Sequence, residues 1–346
     1  MPAILTNKLG LPDTIVKACS YDSHKVAGDL SVTQLIDSPR VRILKRKHDY
    51  EEDVSDMLFA LMGTALHHIL ERANIDQVRQ RAFMLTVDTI QNKAKLIEKD
   101  DPNKAQQLRN CAKYVFDLIP IFFKEIAHRY LFEYTIRIDV NGRVLYGTFD
   151  LYDKIDKILF DYKYCSTWQY TFPESQKKWK VQTNIYAYGL TIEGYEVKKI
   201  RIIAFFRDWH SSAVIQSRDY PKQQILEIPV EVVEPAKVQL YVEKRVKLHT
   251  DAETTDVIPD CTGAERWAKA DSWAVKSKGV KKAIRLFDEE SMADAFIAEN
   301  ITRFKGIHKQ FRPGESNRCD KYCPVAIHCD QRQRELAYRK QIIDKE

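Results

Sequence analysis

Between Arg129 and Leu131 the hydrophobic period of this chain changes, and that change decides its fold class. Upstream, apolar residues recur at three and four positions. MLFALMGTALHHILERAN (57–74) predicts a mostly buried helix, and further helices follow near 76–98 and 103–129, the second kinked or divided at Pro120. Downstream, LFEYTIRIDV, GRVLYGTFDLYDKI and KILFDYKY are β-branched and aromatic blocks separated by short polar or glycine-containing turns, which predict three antiparallel strands. A helix over 175–192, a strand at RIIAFFRDW, a further strand at QILEIPVEVV and a helix opened by Pro235 complete the pattern. Helices, three strands, helix and strand in that order describe an α/β fold, a mixed sheet flanked by helices.

The remainder reads as a smaller module. HTDAETTDVIPDCTG is polar and aperiodic, so the division is expected near residue 255, with a core over 1–255 and a small module over 256–346. Two short strands, SWAVKS and KKAIRLF, and an acidic-capped helix, DEESMADAFIAEN, make a ββα unit too thin to be stable alone. With 346 residues and 44% hydrophobic composition the core itself needs no disulfide. The N-terminus lacks a secretory signal pattern and no apolar run approaches the roughly 20 residues of a membrane helix, so a cytoplasmic chain without a membrane partner is expected.

Chemistry concentrates in GTFDLYDKIDKILFDYK (147–163). Asp161 and Lys163 stand two apart on a strand and share a face, and a hairpin can bring Asp150 alongside. Carboxylates are hard ligands for Mg²⁺ or Mn²⁺, ions that polarise a phosphodiester and lower the pKa of water. Lys163 can orient water or offset charge on the phosphate. Two helical pairs frame this set. Gly63 and His67 stand four apart, the glycine permitting close backbone approach and the imidazole leaving the same face as a ligand or as a core residue, with His68 an equal choice by spacing. Gln182 and Tyr186 also stand four apart and can project together toward a strand edge, while Trp179 and Tyr188 read as core and Asp153 and Asp156 as turn residues.

In order, Gly63-x-x-x-His67, Gly147-Thr148-Phe149-Asp150, Asp161-Tyr162-Lys163 and Gln182-x-x-x-Tyr186 resemble the RecB-like exonuclease branch of the PD-(D/E)XK nuclease superfamily, including its phage-encoded and CRISPR-associated members. The resemblance covers about 31–206. It implies a restriction-endonuclease-like core, Asp150 and Asp161 as metal ligands, Lys163 as the catalytic lysine, His67 as an additional ligand, and Gln182 and Tyr186 as active-site supports. Glu133, on the preceding strand, is a further acidic candidate near the metals. The implied enzyme is a Mg²⁺- or Mn²⁺-dependent deoxyribonuclease acting on single-stranded or end-containing DNA in recombination, repair or phage DNA metabolism. The alternatives are a structure-specific endonuclease and an inactive DNA-binding or assembly subunit. No G-x-x-x-x-G-K-[ST] occurs, so a helicase, recombinase or single-strand-binding protein would be a separate partner.

Three of the seven cysteines crowd into RCDKYCPVAIHC (318–329), a pattern that points to metal in a reducing compartment. Cys319, Cys323 and Cys329 resemble the family's C-terminal triplet, but Ser38 stands before Pro39-Arg40 where members with a cluster carry a cysteine. Cys261 is the simplest fourth ligand, with Cys19, His328 or His308 as alternatives. The resemblance implies a [4Fe-4S] cluster; four thiolates equally form a Zn²⁺ donor set. Most of the net charge of +6 lies in the last 46 residues, where eleven basic residues face six acidic ones. Lys305, Lys309, Arg312, Arg318, Lys321 and Arg332, beside Phe311 and Tyr322, are therefore expected to track phosphates.

Overall fold

The computed structural model describes residues 3–20, 28–73, 75–255 and 257–343, with backbone alone at 75–82 and 119–128. The chain divides into two compact units, one of residues 7–36 and 54–245, the other gathering the segment ending at Thr6, Asp37–Asp53 and the chain from Val246 onward. Among the described residues no helix is long and apolar enough to cross a membrane.

The larger unit is built on a six-stranded mixed sheet. Its strands are β1 (Leu30–Ser31), β2 (Tyr130–Val140), β3 (Arg143–Asp153), β4 (Ile158–Cys165), β5 (Lys199–Phe206) and β6 (Ile225–Val230). Strands β2 and β3 form a long antiparallel hairpin. Its turn, Asn141-Gly142, has φ of 54° and 78°, the left-handed pair that a tight hairpin requires and that these two residue types tolerate. Along its other edge β3 pairs with β1 at Leu145 and Tyr146 and with β4 only at Leu151–Asp153. Strands β3 and β4 therefore part company between Tyr146 and Leu151, and the parallel pairing of β4 with β5 continues without them.

Helices flank this sheet as expected. The ones used below are α1 (Val32–Ile36), α2 (Pro39–Lys47), α3 (Leu58–Ala73), α4 (Ile75–Ile97), α5 (Pro102–Arg129) and α6 (Pro173–Ile192). Helix α6 packs its second half on the sheet, burying Ile185, Tyr186 and Leu190. Two differences from the sequence reading stand out. Helix α5 runs unbroken through Pro120. Helix α3 contains no buried residue, and Leu58, Phe59, Met62 and Ile69 are exposed: periodicity records which face of a helix is apolar, not whether anything covers it.

In the second unit, α2 is capped by Ser38, whose hydroxyl accepts the Arg40 amide, with Pro39 at the first helical position. The buried Arg40 donates to the carbonyls of Ile258 and Pro259 and to the carboxylates of Asp260 and Asp330. Those bonds explain why Asp37–Asp53 groups with the C-terminal part, which a division at residue 255 along the chain does not anticipate. The small module contains β7 (Ser272–Lys276), β8 (Arg285–Phe287), α7 (Glu290–Asn300) and a third strand, β9 (His308–Arg312), that its sequence does not announce. Strand β7 lies in the middle, antiparallel to both neighbours. Several basic tail residues are paired with carboxylates: Lys309 with Glu290 and Asp294, Arg318 with Asp37, and Arg332 with Asp320 and Glu335.

Candidate active site

The gap between β3 and β4 is lined by charge. Asp150 ends the separated stretch of β3, and with no β4 backbone opposite, its carboxylate Oδ2 accepts the Tyr162 amide. Its other oxygen, Oδ1, lies 2.9 Å from His67 Nδ1, and Glu133 Oε1 is 3.7 Å from the same nitrogen. Imidazole, Glu133 and Asp150 each offer a ligand atom within 4.8 Å of the others, and among the described residues they are the one such trio of His, Cys, Asp or Glu. His68 lies 3.7 Å from Glu71 instead, so of the two histidines it is His67 that faces Asp150 and Glu133.

Glu133 reaches this position by strained backbone. It faces Asp150 across the hairpin, between the paired Phe132↔Leu151 and Tyr134↔Phe149, but with φ of 43° it drops out of the ladder. A non-glycine residue in the left-handed region within a strand costs on the order of 1–3 kcal/mol, and such strain collects at functional sites.

Beyond Asp150, β4 presents Asp161 and Lys163 to the same cleft. Lys163 Nζ lies 2.8 Å from Asp161 Oδ2 and donates to Gln182 Oε1 at 3.0 Å; Gln182 Nε2 in turn donates to Tyr186 Oη at 2.8 Å. Asp161 is buried, and that oxygen has no well-directed hydrogen bond, which leaves it able to accept a further cation. The strand period brings Asp161 and Lys163 together and the helical spacing Gln182 and Tyr186, while Glu133 joins them only through its departure from the ladder. Gly147 explains the closeness of α6: a Cβ there would sit 2.7 Å from both Tyr186 Cε1 and Val32 Cγ2. Gly63 has no such role, since a Cβ at that position meets nothing within 4 Å. The sequence reading missed Ser31, Thr33, Thr148 and Tyr162, which also line the cleft; the Ser31 and Thr33 hydroxyls, 3.0 Å apart, signal themselves only through the start of α1.

Electrostatics follow from this crowding. Hydrogen bonds to Asp150 and then Glu133 raise the His67 pKa to about 10 against the opposing effect of burial. Burial pushes the Asp161 carboxyl up, Lys163 opposes that, and Asp150 adds to it. Burial also raises Tyr162 to about 12 and lifts the Tyr186 phenol well above its ordinary range. Both phenols are neutral at physiological pH. A cluster of three carboxylates compensated by one imidazolium and one ammonium fits a divalent cation, which would replace the proton on His67.

In the second unit Cys261, Cys319, Cys323 and Cys329 line one small cavity together with Arg40, Arg318 and other residues. Cys261 Sγ lies 3.1 Å from Ser38 Oγ, so it occupies the neighbourhood of the position where the N-terminal cysteine is missing. Arg40 Nη1 is 3.9 Å from Cys329 Sγ. Burial raises Cys261 to about 11 and lifts Cys319 and Cys323 as well. His328 stacks on His48 with ring centroids 4.3 Å apart, and neither it, His308 nor Cys19 lines the cavity.

Comparison with known proteins places this geometry. The solved structure titled "Crystal structure of SSO0001" aligns at 16% identity over 68% of this chain and 84% of that one, with a TM-score of 0.33. The curated proteins yield no match. Residues 39–330 match the family model of the PD-(D/E)XK nuclease superfamily. The chain belongs to the PD-(D/E)XK nuclease superfamily, whose members are enzymes that hydrolyse nucleic acid and use divalent metal ions.

Proposed function

We propose that the chain is a Mg²⁺- or Mn²⁺-dependent deoxyribonuclease of the RecB-like branch, acting as an exonuclease on single-stranded or end-containing DNA in recombination, repair or phage DNA metabolism. The observation that carries this reading is the convergence of His67, Glu133, Asp150 and Asp161 beside the Lys163, Gln182 and Tyr186 chain in one open cleft. His67, Glu133, Asp150 and Asp161 would hold the ion, which when bound polarises the phosphodiester and lowers the pKa of water. Lys163 is the group that meets negative charge on the phosphate. Its ammonium is held by Asp161 on one side and Gln182 on the other, so it is aimed before substrate arrives. Tyr186, buried and neutral, fixes Gln182 rather than reacting.

The cysteine cavity is assigned a structural metal, a [4Fe-4S] cluster in preference to Zn²⁺. Four thiols around one cavity with guanidinium groups beside them suit an anionic thiolate-bound centre, and the resemblance to cluster-bearing members favours iron and sulfur over Zn²⁺. Metal analysis with an absorbance spectrum on anaerobically purified protein decides between them: about four irons and visible absorbance are expected, and one zinc without colour would overturn the choice.

Activity is tested by presenting single-stranded, linear duplex and covalently closed circular DNA with Mg²⁺. Loss of the linear strands with the closed circle spared is the expected result. Cutting of the circle at the same rate would replace the exonuclease by an endonuclease. Lys163→Ala is expected to abolish cleavage with DNA affinity kept within a few fold, and undiminished turnover would show that the active site lies elsewhere.

A further inference from the structure

We infer that the β7–β8 hairpin and the loop before β9 form a cationic platform that grips the phosphate backbone of a nucleic-acid strand outside the catalytic cleft. The inference rests on the nuclease reading for the identity of the polyanion. From Ser272 to Phe287 the chain carries five basic residues and no acidic one, and Ile301–Arg312 is likewise free of carboxylates. The fold brings these two stretches together. The Lys278 amide and the Ser277 hydroxyl both donate to the Lys305 carbonyl, at 3.1 and 2.8 Å. Lys276 pairs with His308 in the ladder, and Arg285 with Val275. Gly279 and Gly306, with φ of 82° and 59°, supply the turns on which the platform depends.

The result is a set of exposed cations, Lys278, Lys281, Lys282, Arg285, Arg303 and Lys305, on one end of the three-stranded sheet. None of the six has a carboxylate partner among the described residues. On α7, Glu290 and Asp294 are both engaged by Lys309. Two of the six are pre-positioned: the Arg285 guanidinium lies 5.1 Å from the Phe287 ring centre and 5.8 Å from that of Phe296, and the Arg303 guanidinium 5.3 Å from that of Phe304. An ordinary solvated face intersperses both signs, whereas each of these two stretches carries only one. The pattern differs from the tail, where Arg318 and Arg332 are spent on internal ion pairs. Closely spaced cations, some on flexible stems and some held near aromatic rings, match a regular row of phosphates.

The test compares the full-length chain carrying Lys163→Ala with the same chain also carrying Lys278→Gln, Lys281→Gln, Lys282→Gln and Lys305→Gln. Binding of a fluorescent oligonucleotide is followed across salt concentrations. Removing four phosphate contacts should weaken binding about ten- to a hundredfold near 0.1 M salt and flatten the dependence of log K on log salt by about 3. The four corresponding Lys→Arg substitutions should restore both. Unchanged affinity and slope in the glutamine variant would overturn the inference, as would loss of binding to phosphatidylserine vesicles with oligonucleotide binding intact. With Lys163 present, the glutamine variant should hydrolyse bis-p-nitrophenyl phosphate at the parent rate. Absence of cleavage by the parent chain would count against the nuclease reading alone, because the binding measurement requires no turnover.

Discussion

His67 offers the sharpest quantitative check on the site, because between about pH 6.5 and 10 its proton is held mainly by the folded protein. In the metal-free chain its pKa is about 10, against about 6.5 when unfolded. Below pH 6.5 both states carry the proton and the full stabilisation is present. Between 6.5 and 10 the folded state binds more protons than the unfolded one, so stability falls as pH rises, by up to about 1.4 kcal/mol per unit. The whole interval corresponds to about 5 kcal/mol; with 28% of the side chain in solvent, screening reduces the expected loss to roughly 2–3 kcal/mol. His67→Gln removes the titration, so its stability should be nearly flat over the same window. Urea denaturation with chelator at pH 6, 8 and 9.5 measures this directly. The same proton competes with a cation, so Mn²⁺ affinity measured by calorimetry should climb with pH below 10 in the parent chain and much less in His67→Gln. Parallel stability curves for the two proteins, or parent stability that rises from pH 6.5 to 9.5, would show that His67 does not sit between Asp150 and Glu133.

Other substitutions probe separate parts of the structure. Gly147→Ala places a methyl 2.7 Å from Tyr186 and Val32, so it should cost roughly 1–3 kcal/mol in denaturation and lower kcat more than it raises KM, by displacing the support of Gln182. Glu133→Gly should be more stable than Glu133→Gln by roughly 1 kcal/mol, since both remove the carboxylate but only glycine relieves the φ of 43°; calorimetry should show weakened Mn²⁺ binding in both. Cys261→Ser should lower bound iron or zinc, by elemental analysis, as far as Cys319→Ser does, whereas Ser38→Ala, which touches Cys261 from outside, should leave the metal content near that of the parent.

The strands around the site were legible because each of their signals is local. Asp161 and Lys163 share a face by strand period alone, and Gln182 and Tyr186 by helical spacing. What escaped the sequence depends on partners far along the chain. The value of Gly147 lies in Tyr186 and Val32, that of Arg318 as an ion pair lies in Asp37, and the backbone of Glu133 departs from its strand in a way no residue pattern encodes. Charge counting in the tail was incomplete for the same reason: it registers cations such as Lys309, Arg318 and Arg332 but not the carboxylates that the fold turns toward them. The basic hairpin shows the complementary case, a run of like charge whose freedom becomes visible only when Glu290 and Asp294 are seen to be committed to Lys309.

The parting of β3 from β4 links the fold to the chemistry. A continuous ladder would satisfy the Tyr162 amide with backbone from β3 and leave the Asp150 side chain free to turn. With the ladder interrupted, that amide would be an unsatisfied donor, a loss of about 1–3 kcal/mol, and Asp150 Oδ2 is the acceptor that prevents it. The two oxygens of Asp150 therefore divide their work. One is committed to the backbone and locks the carboxylate; the other, by that commitment, points at His67 and the position a cation would occupy. Glu133 completes the arrangement from across the hairpin at the cost of its own strained φ. The weakness in the sheet and the preorganisation of the site are consequently one feature: filling the gap with regular pairing would stabilise the strands and remove the constraint that aims the carboxylate.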